Sequence, residues 1–321
     1  MLASLRAPME PNLHFGISER QSFFRRFLQW MDLLDPVNLF ISIGSIEKSR
    51  QLLFTTEDAS KHYLDDKRLT FSSAPLKSSV HPDSSKLIPT LFRPAAFLPV
   101  TAPMVVLLMM PATGMKSIVL TQACLYGYTT PFNIINGNAS YSHGPVERTV
   151  LGAGVFVSST FLGLIPHLFQ MKYPLSNFWL KRALPIAFLV QVSGMNVFAS
   201  RSFETLRGIE VMDKEGHVVG YSRKAGRKAI RETTFSRAVL FGTSALIPEV
   251  FIHFFKRTQF SPQSSFSLMT LRMGCTLFMM GLMVPVSFSM FPQIGQIQYS
   301  QLEKTIQSST EEKELFYNRG V

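Results

Sequence analysis

Glu249 is the one Asp, Glu, Lys or Arg between residues 238 and 255, in a stretch otherwise largely apolar. A carboxylate in such surroundings is expensive, and is kept where it meets a cation, a proton or the amine of a substrate. Three amides stand in similarly charge-free stretches: Asn133 and Asn136 between 117 and 146, and Asn196 between 183 and 200. Amides of this kind can bind the charged ends of an amino acid on interrupted helices. They serve equally well to hydrogen-bond one helix to the next. For Glu249 the competing expectation is a position near the membrane surface, paired with Lys256 or Arg257 one to two turns on. His81-Pro82-Asp83-Ser84 reads as a local turn, with Asp83 capping the backbone that follows; a gate or partner contact is the alternative.

Other chemistry lacks its residues. No GxxxxGK[ST] or GxGxxG loop occurs, and Gly152-Ala-Gly154 lies in an apolar run where helix packing explains it. The seven histidines are scattered without an HExxH, and Cys124 and Cys275 are far apart, so neither a metal centre nor a disulfide scaffold is expected. The methionines, among them Met104, Met109 and Met110, read as packing or lipid-facing filler. No cofactor is expected, and no residue set argues for an enzyme. Despite the net charge of +11, no basic–aromatic interleaving points to nucleic acid.

The elements that would position these residues follow from where charge is missing. Residues 95–115, 149–171, 183–200 and 273–291 contain no Asp, Glu, Lys or Arg, and 238–255 only Glu249. A bilayer core about 30 Å thick needs about 20 mostly apolar helical residues, and these runs reach that length or come within a turn of it. The expected fold class is therefore all-α: a multi-pass transmembrane helical bundle of about five spans over 95–291, with membrane lipids as its solvent. Buried helices in a soluble core are the weaker reading, since little polar surface would remain. Residues 117–146 are read as a re-entrant or partly inserted segment, because their second part carries three asparagines and two glycines; a full sixth span is the alternative. Interior prolines at 99, 103, 166, 185, 248 and 285 are tolerated in membrane helices where neighbours re-satisfy the backbone.

Residues 1–94 balance 12 Lys plus Arg against 10 Asp plus Glu and read as a helical soluble region without a cleavable secretory signal. Ser18 to Gln21 has the form of a capping box. The amphipathic helix expected after it carries Phe23, Phe27, Trp30 or Met31, and Leu34 on one face, and stops at Asp35-Pro36. Residues 201–237, with nine Lys plus Arg, read as a polar loop: a hairpin turning at Asp213-Lys-Glu-Gly216, then a basic helix from Ser222. Residues 292–321 are the C-terminal tail, of which 303–321, with Glu311, Glu312 and Glu314, is expected to be solvated.

Several of these residues, taken in order, resemble the marks of the sideroflexins, a family of mitochondrial inner-membrane proteins. His81-Pro82-Asp83-Ser84 resembles the family's HPDTG; Asp35 to Ser42 and Arg50 are similar to its N-terminal region; Phe132-Asn133 to its asparagine-rich segment; Asn196 and Arg201 to the ends of its ANxxNIPLMR stretch. Gly208, Val211, Asp213, Gly216, Gly220 and Ser222 are similar to the polar loop, and Phe291-Pro292-Gln293, Leu302-Glu303 and Tyr317-Asn318-Arg319-Gly320 to the C-terminal region. Departures point to a divergent branch: Ser84-Ser85 replaces the glycine of HPDTG, Leu98 to Met104 lacks an expected asparagine, Gln122 to Tyr126 replaces QWxNQ, and Glu249 stands where a proline is expected.

The resemblance implies a multi-pass protein of the mitochondrial inner membrane, with residues 1–94 in the matrix, five spans, and the tail in the intermembrane space. Lys172, Lys181, Arg182, Lys256 and Arg257 would then also face the matrix. It implies a carrier of a small amino acid, serine being disfavoured by the lost polar groups, with Asn133, Asn136, Asn196 and Glu249 as binding residues. Asn196 and Glu249 would then face one cavity. The alternative is a non-transporting factor for respiratory complex I assembly and iron or iron–sulfur homeostasis, acting through complex I assembly proteins and the N-terminal region.

Overall fold

The computed structural model describes residues 22–41, 44, 79–81, 86–110, 114–138, 144–173, 176–214, 216–258, 264–310 and 312–321. The Ser18–Gln21 capping box and Pro82, Asp83 and Ser84 lie outside them.

Helix α1 (Phe23–Leu33) begins at Ser22, whose side chain accepts from Arg25 N. It stops where Asp35 caps a 3₁₀ turn, Pro36–Phe40, by accepting from Val37 N at 2.9 Å. Trp30 and Leu33 turn inward while Phe23, Phe24, Leu28 and Met31 stay exposed. Then follow α2 (Pro94–Met109), α3 (Met115–Ile135), α4 (Pro145–Lys172), α5 (Phe178–Ser200) and the single-turn-plus α6 (Ser202–Arg207). Strands β1 (Ile209–Met212) and β2 (Val218–Ser222) form the expected hairpin. Helix α7 (Arg223–Phe255) and α8 (Ser265–Ser289) follow, then β3 (Ile294–Gln298), α9 (Lys304–Gln307) and β4 (Glu314–Asn318).

The chain is predominantly helical, as its charge pattern requires. Among the described residues four helices, α4, α5, α7 and α8, are long and apolar enough to cross a membrane. Only 22% of the apolar window of α4 is buried, so Val150, Val157 and Phe161 face outward. A bundle whose outside is apolar is what hydrocarbon solvates. Helix α2, at 16 residues, spans about 24 Å. Its prolines come at the start and at 99 and 103, and Phe97, Ala102 and Val105 pack into the common core.

Residues 117–135 do not form a re-entrant break. They are continuous helix within the 21 residues of α3. The asparagines and glycines that suggested a break fall at its last turn and beyond. The consequence is topological. Helices α2, α3, α4, α5, α7 and α8 alternate in direction, so both described ends of the chain lie at one end of the bundle. There Arg26 Nε donates to Ser289 O, Asn136 Nδ2 to Phe92 O, and Val321 N to Asn136 O. Lys172, Lys181, Arg182, Lys256 and Arg257 lie at the opposite end from the N-terminal region.

The tail is also not a solvated strand. Strands β3 and β4 pair antiparallel from Ile294↔Asn318 to Gln298↔Glu314, and β4 adds to β1, giving the order β2-β1-β4-β3. Leu315 and Tyr317 bury against Ile209, Val211, Ala225 and Ala229. Helix α7, 33 residues and about 50 Å long, carries the sheet on its first turns and the bundle on its last. Two glycines allow this junction: Gly208 turns at φ +91 against Ser222, and a Cβ on Gly226 would overlap the carbonyl of Glu204.

Candidate functional site

Two of the nominated amides meet. Asn133, near the end of α3, donates through Nδ2 to Asn196 Oδ1 on α5 at 2.9 Å. Asn196, 1% exposed, donates in turn to Thr130 Oγ1 (2.7 Å) and to Ser159 Oγ on α4 (3.0 Å). Three helices are thereby joined through one amide. Asn136 does something else. It ends α3, donates to Phe92 O and Phe132 O, and its carbonyl receives Val321 N. It ties loop, helix and C-terminus together.

Glu249 is elsewhere. It is 5% exposed and lies beside Arg272 Nε of α8 at 3.2 Å and Arg182 Nη1 of α5 at 3.6 Å. The expected pairing with Lys256 or Arg257 is not what holds it; neighbouring helices supply its cations. Arg182 and Asn196 are fourteen residues apart on α5, about 21 Å along the axis. Ile186, Leu189 and Val192 fill the intervening face, packed with Leu240, Phe241 and Ala245. Asn196 and Glu249 therefore do not share a cavity.

Glu249 does line one. A cavity of about 510 Å³ at the end opposite the sheet is bounded by α2, α3, α4, α5 and α7. Its polar lining is His167, Gln170, Lys181, Arg182 and Glu249; Met109, Met115 and Ile186 are among the apolar walls. Pro248 deprives the carbonyl of Ser244 of its helical donor one turn before Glu249. A buried carboxylate between two guanidinium groups, beside a small-molecule-sized space, can bind a solute carrying both signs of charge.

Sequence reasoning missed the ionic centre at the sheet end. Arg201 binds Glu204 through Nε–Oε1 at 2.7 Å and Nη2–Oε2 at 2.8 Å, both side chains being buried. Arg201 also donates to Thr233 Oγ1 and to Arg319 O. Glu204 accepts from the backbone and side chain of Asn138, fixing the segment after α3. His81 reaches the same segment, its Nε2 lying 2.7 Å from Gly137 O. Burial pulls Arg319 below the usual guanidinium range to about 10; the charge of Glu232 opposes the shift and that of Arg201 adds to it. The only sequence signals for Arg182 and Arg272 were that each is the last charge before a charge-free run. Arg201 ends such a run.

Among the described residues no group of His, Cys, Asp and Glu could hold a metal ion. The family model described as Sideroflexins matches residues 16–321. Sideroflexin-4 of Mus musculus is 81% identical over 313 residues, covering 98% of this chain and all of its own length. Sideroflexin-4 of Homo sapiens is 61% identical over 313 residues, covering 98% of this chain and 93% of its own. Sideroflexin-5 of Homo sapiens is more distant, 26% identical over 309 residues, covering 94% and 91%. No solved structure matches.

Proposed function

The chain belongs to the sideroflexin family, and from that premise we propose that it is a mitochondrial inner-membrane carrier of a small amino acid other than serine, with the Glu249 cavity as its binding site. One observation carries this reading: a carboxylate 5% exposed, flanked by Arg182 and Arg272, on the wall of a cavity of about 510 Å³. An amino acid presents an ammonium to Glu249 and a carboxylate to Arg182 or Lys181. Both partners come from separate helices, so relative movement of α5 and α7 would open or close the site. Serine is disfavoured because the first long helix offers no asparagine between Leu98 and Met104, and Thr101 there donates back to Phe97 O. The Asn133–Asn196 network is assigned to helix pairing, since the amide of Asn196 is engaged on three sides.

A second reading is favoured by a different observation. The apolar layer of Leu189, Val192, Leu240, Phe241 and Ala245 leaves the cavity without a route to the sheet end. A scaffold that does not transport, serving respiratory complex I assembly and iron–sulfur homeostasis through its N-terminal region, needs no such route. Uptake of a panel of labelled small amino acids into liposomes holding the purified protein separates the two. Saturable uptake of at least one supports the carrier; none across the panel, with the protein correctly inserted, supports the scaffold.

A further inference from the structure

Helix α1 presents three faces, and the bundle and water account for two of them. At about 100° per residue, the buried Trp30, Leu33 and Leu34 share one direction. Phe24, Leu28 and Met31 share a second, about 130° round the helix; they are 67%, 48% and 48% exposed. The exposed Arg25 and Asp32 share a third, about 80° further on. A helix packed on protein and otherwise facing water needs one apolar face and one polar face. Here a second apolar face stands beside the first, and the charges occupy a separate side. Exposed apolar patches of this kind mark a protein or a membrane contact.

The place of α1 on the bundle selects the membrane. The helix is seated on the last turn of α8: Arg26 Nε donates to Ser289 O at 3.1 Å, and the Trp30 ring lies 5.0 Å from that of Phe288. Helix α8 has 25 residues, and so is about 37 Å long. The hydrocarbon it crosses is about 30 Å thick. Ser289, its last residue, therefore lies at the hydrocarbon edge or up to about 7 Å beyond it, in the layer where interfacial helices lie. The apolar outside of the bundle leads up to this level. Phe278 and Leu282 are exposed one turn apart on α8, and Pro99, Pro103 and Leu107 at successive turns of α2. At the head of α2, Arg93 Nη1 donates to Asn38 O, which holds the 3₁₀ turn after α1 at the same end. Val37 and Phe40 of that turn are exposed as well. A lipid surface at this level covers Phe24, Leu28, Met31, Val37 and Phe40 without another chain.

We propose that α1 lies in the plane of the membrane interface, with Phe24, Leu28 and Met31 in the boundary of the acyl chains and Arg25 and Asp32 toward water, and so fixes the N-terminal region to the bilayer beside α8. The partner of this face is the lipid surface itself. The proposal is independent of whether the Glu249 cavity carries a solute.

The test places a nitroxide on single cysteines, Phe24→Cys, Arg25→Cys, Leu28→Cys and Asp32→Cys, each in the full chain with Cys124→Ser and Cys275→Ser. The proteins are reconstituted into vesicles of phosphatidylcholine and phosphatidylglycerol. Power saturation then compares collision with oxygen, which concentrates in lipid, against collision with a water-soluble nickel chelate. Oxygen should exceed nickel several-fold at 24 and 28, and the order should reverse at 25 and 32. Nickel exceeding oxygen at 24 and 28 overturns the proposal. So does shielding of both positions from both reagents, since protein then covers the face. The unaltered chain gives a second reading that depends on no variant. In vesicles containing a phosphatidylcholine with a diazirine on its upper acyl chain, photolysis should leave adducts within 23–31 as well as around Phe278 and Leu282. Adducts on α8 with none on 23–31 overturn the proposal.

Discussion

Asn133 hands one amide hydrogen to Asn196 across α3 and α5 at 2.9 Å, and Asn196 hands its own to Thr130 and Ser159. This network stands where the chain alternates between the sheet end and the apolar layer below it. Inside a bundle, such bonds hold helices at fixed rotation, and each is worth about 0.6–2 kcal/mol. Asn196→Ala removes three of them and leaves Asn133 Nδ2 without its acceptor. It should lower stability by about 1–3 kcal/mol, read as the unfolding midpoint in detergent. Combined with Asn133→Ala the loss should be smaller than the sum, because the two share one bond.

Arg201→Ala should be far more damaging. It strands Glu204 as a buried carboxylate and removes the donor to Arg319 O, so a loss of about 3–5 kcal/mol is expected. Steady-state abundance should fall sharply, and the double change with Glu204→Ala should recover part of it. Pulse-chase measurement of both variants checks this; equal half-lives for Arg201→Ala and the parent would contradict it.

Both termini should be reached from the same side of the membrane. Protease protection of tags at residue 1 and at residue 321, in intact organelles and in mitoplasts, reads this directly. This expectation rests on the hydrogen bonds that join Arg26 to Ser289 and Val321 to Asn136 at one end of the bundle.

Glu303 predicts a pH dependence at the sheet. Partial burial pushes its carboxyl upward, but Ser222 Oγ at 2.7 Å and Lys224 N at 3.0 Å outweigh that and hold it below the ordinary carboxylate range. A folded value below the unfolded one gives stability that is complete above the unfolded pKa of about 4.3 and is lost as pH falls through the folded value. Glu303→Gln should therefore be less stable than the parent at neutral pH, with the difference closing below about pH 4. The group is only partly buried, so the effect should be small, and a melting series from neutral to acidic pH should resolve it.

The helices were legible because a bilayer imposes long charge-free runs, and α4, α5, α7 and α8 each contain one. The extent of α3 was not. Its asparagines and glycines mimic a break, yet they fall in the final turn and beyond, where Asn133 finds its partner in Asn196 and Asn136 in Phe92 O. The hairpin at Asp213–Gly216 was visible from its turn residues, but the pairing of β1 with β4 joins segments about a hundred residues apart and leaves no local trace. Asn133 and Asn196 were singled out as amides in charge-free stretches, and both are buried. That they bond each other while Glu249 sits far off depends on helix rotation and length, which composition does not encode. Arg237, on α7, was passed over because it ends a basic helix, where a charge is ordinary; it is buried among the rings of Phe97, Phe132 and Phe288 from α2, α3 and α8.

The central claim is that Glu249 holds the ammonium of a transported amino acid. The most direct measurement is the concentration dependence of labelled amino-acid uptake by Glu249→Gln in liposomes, at protein levels matched to the parent. The variant keeps the shape of the side chain but loses the charge that Arg182 and Arg272 flank. Half-saturation should rise about tenfold or more, on the order of the loss of one charged hydrogen bond, with insertion unchanged. Uptake indistinguishable from the parent, at every concentration, would contradict the account.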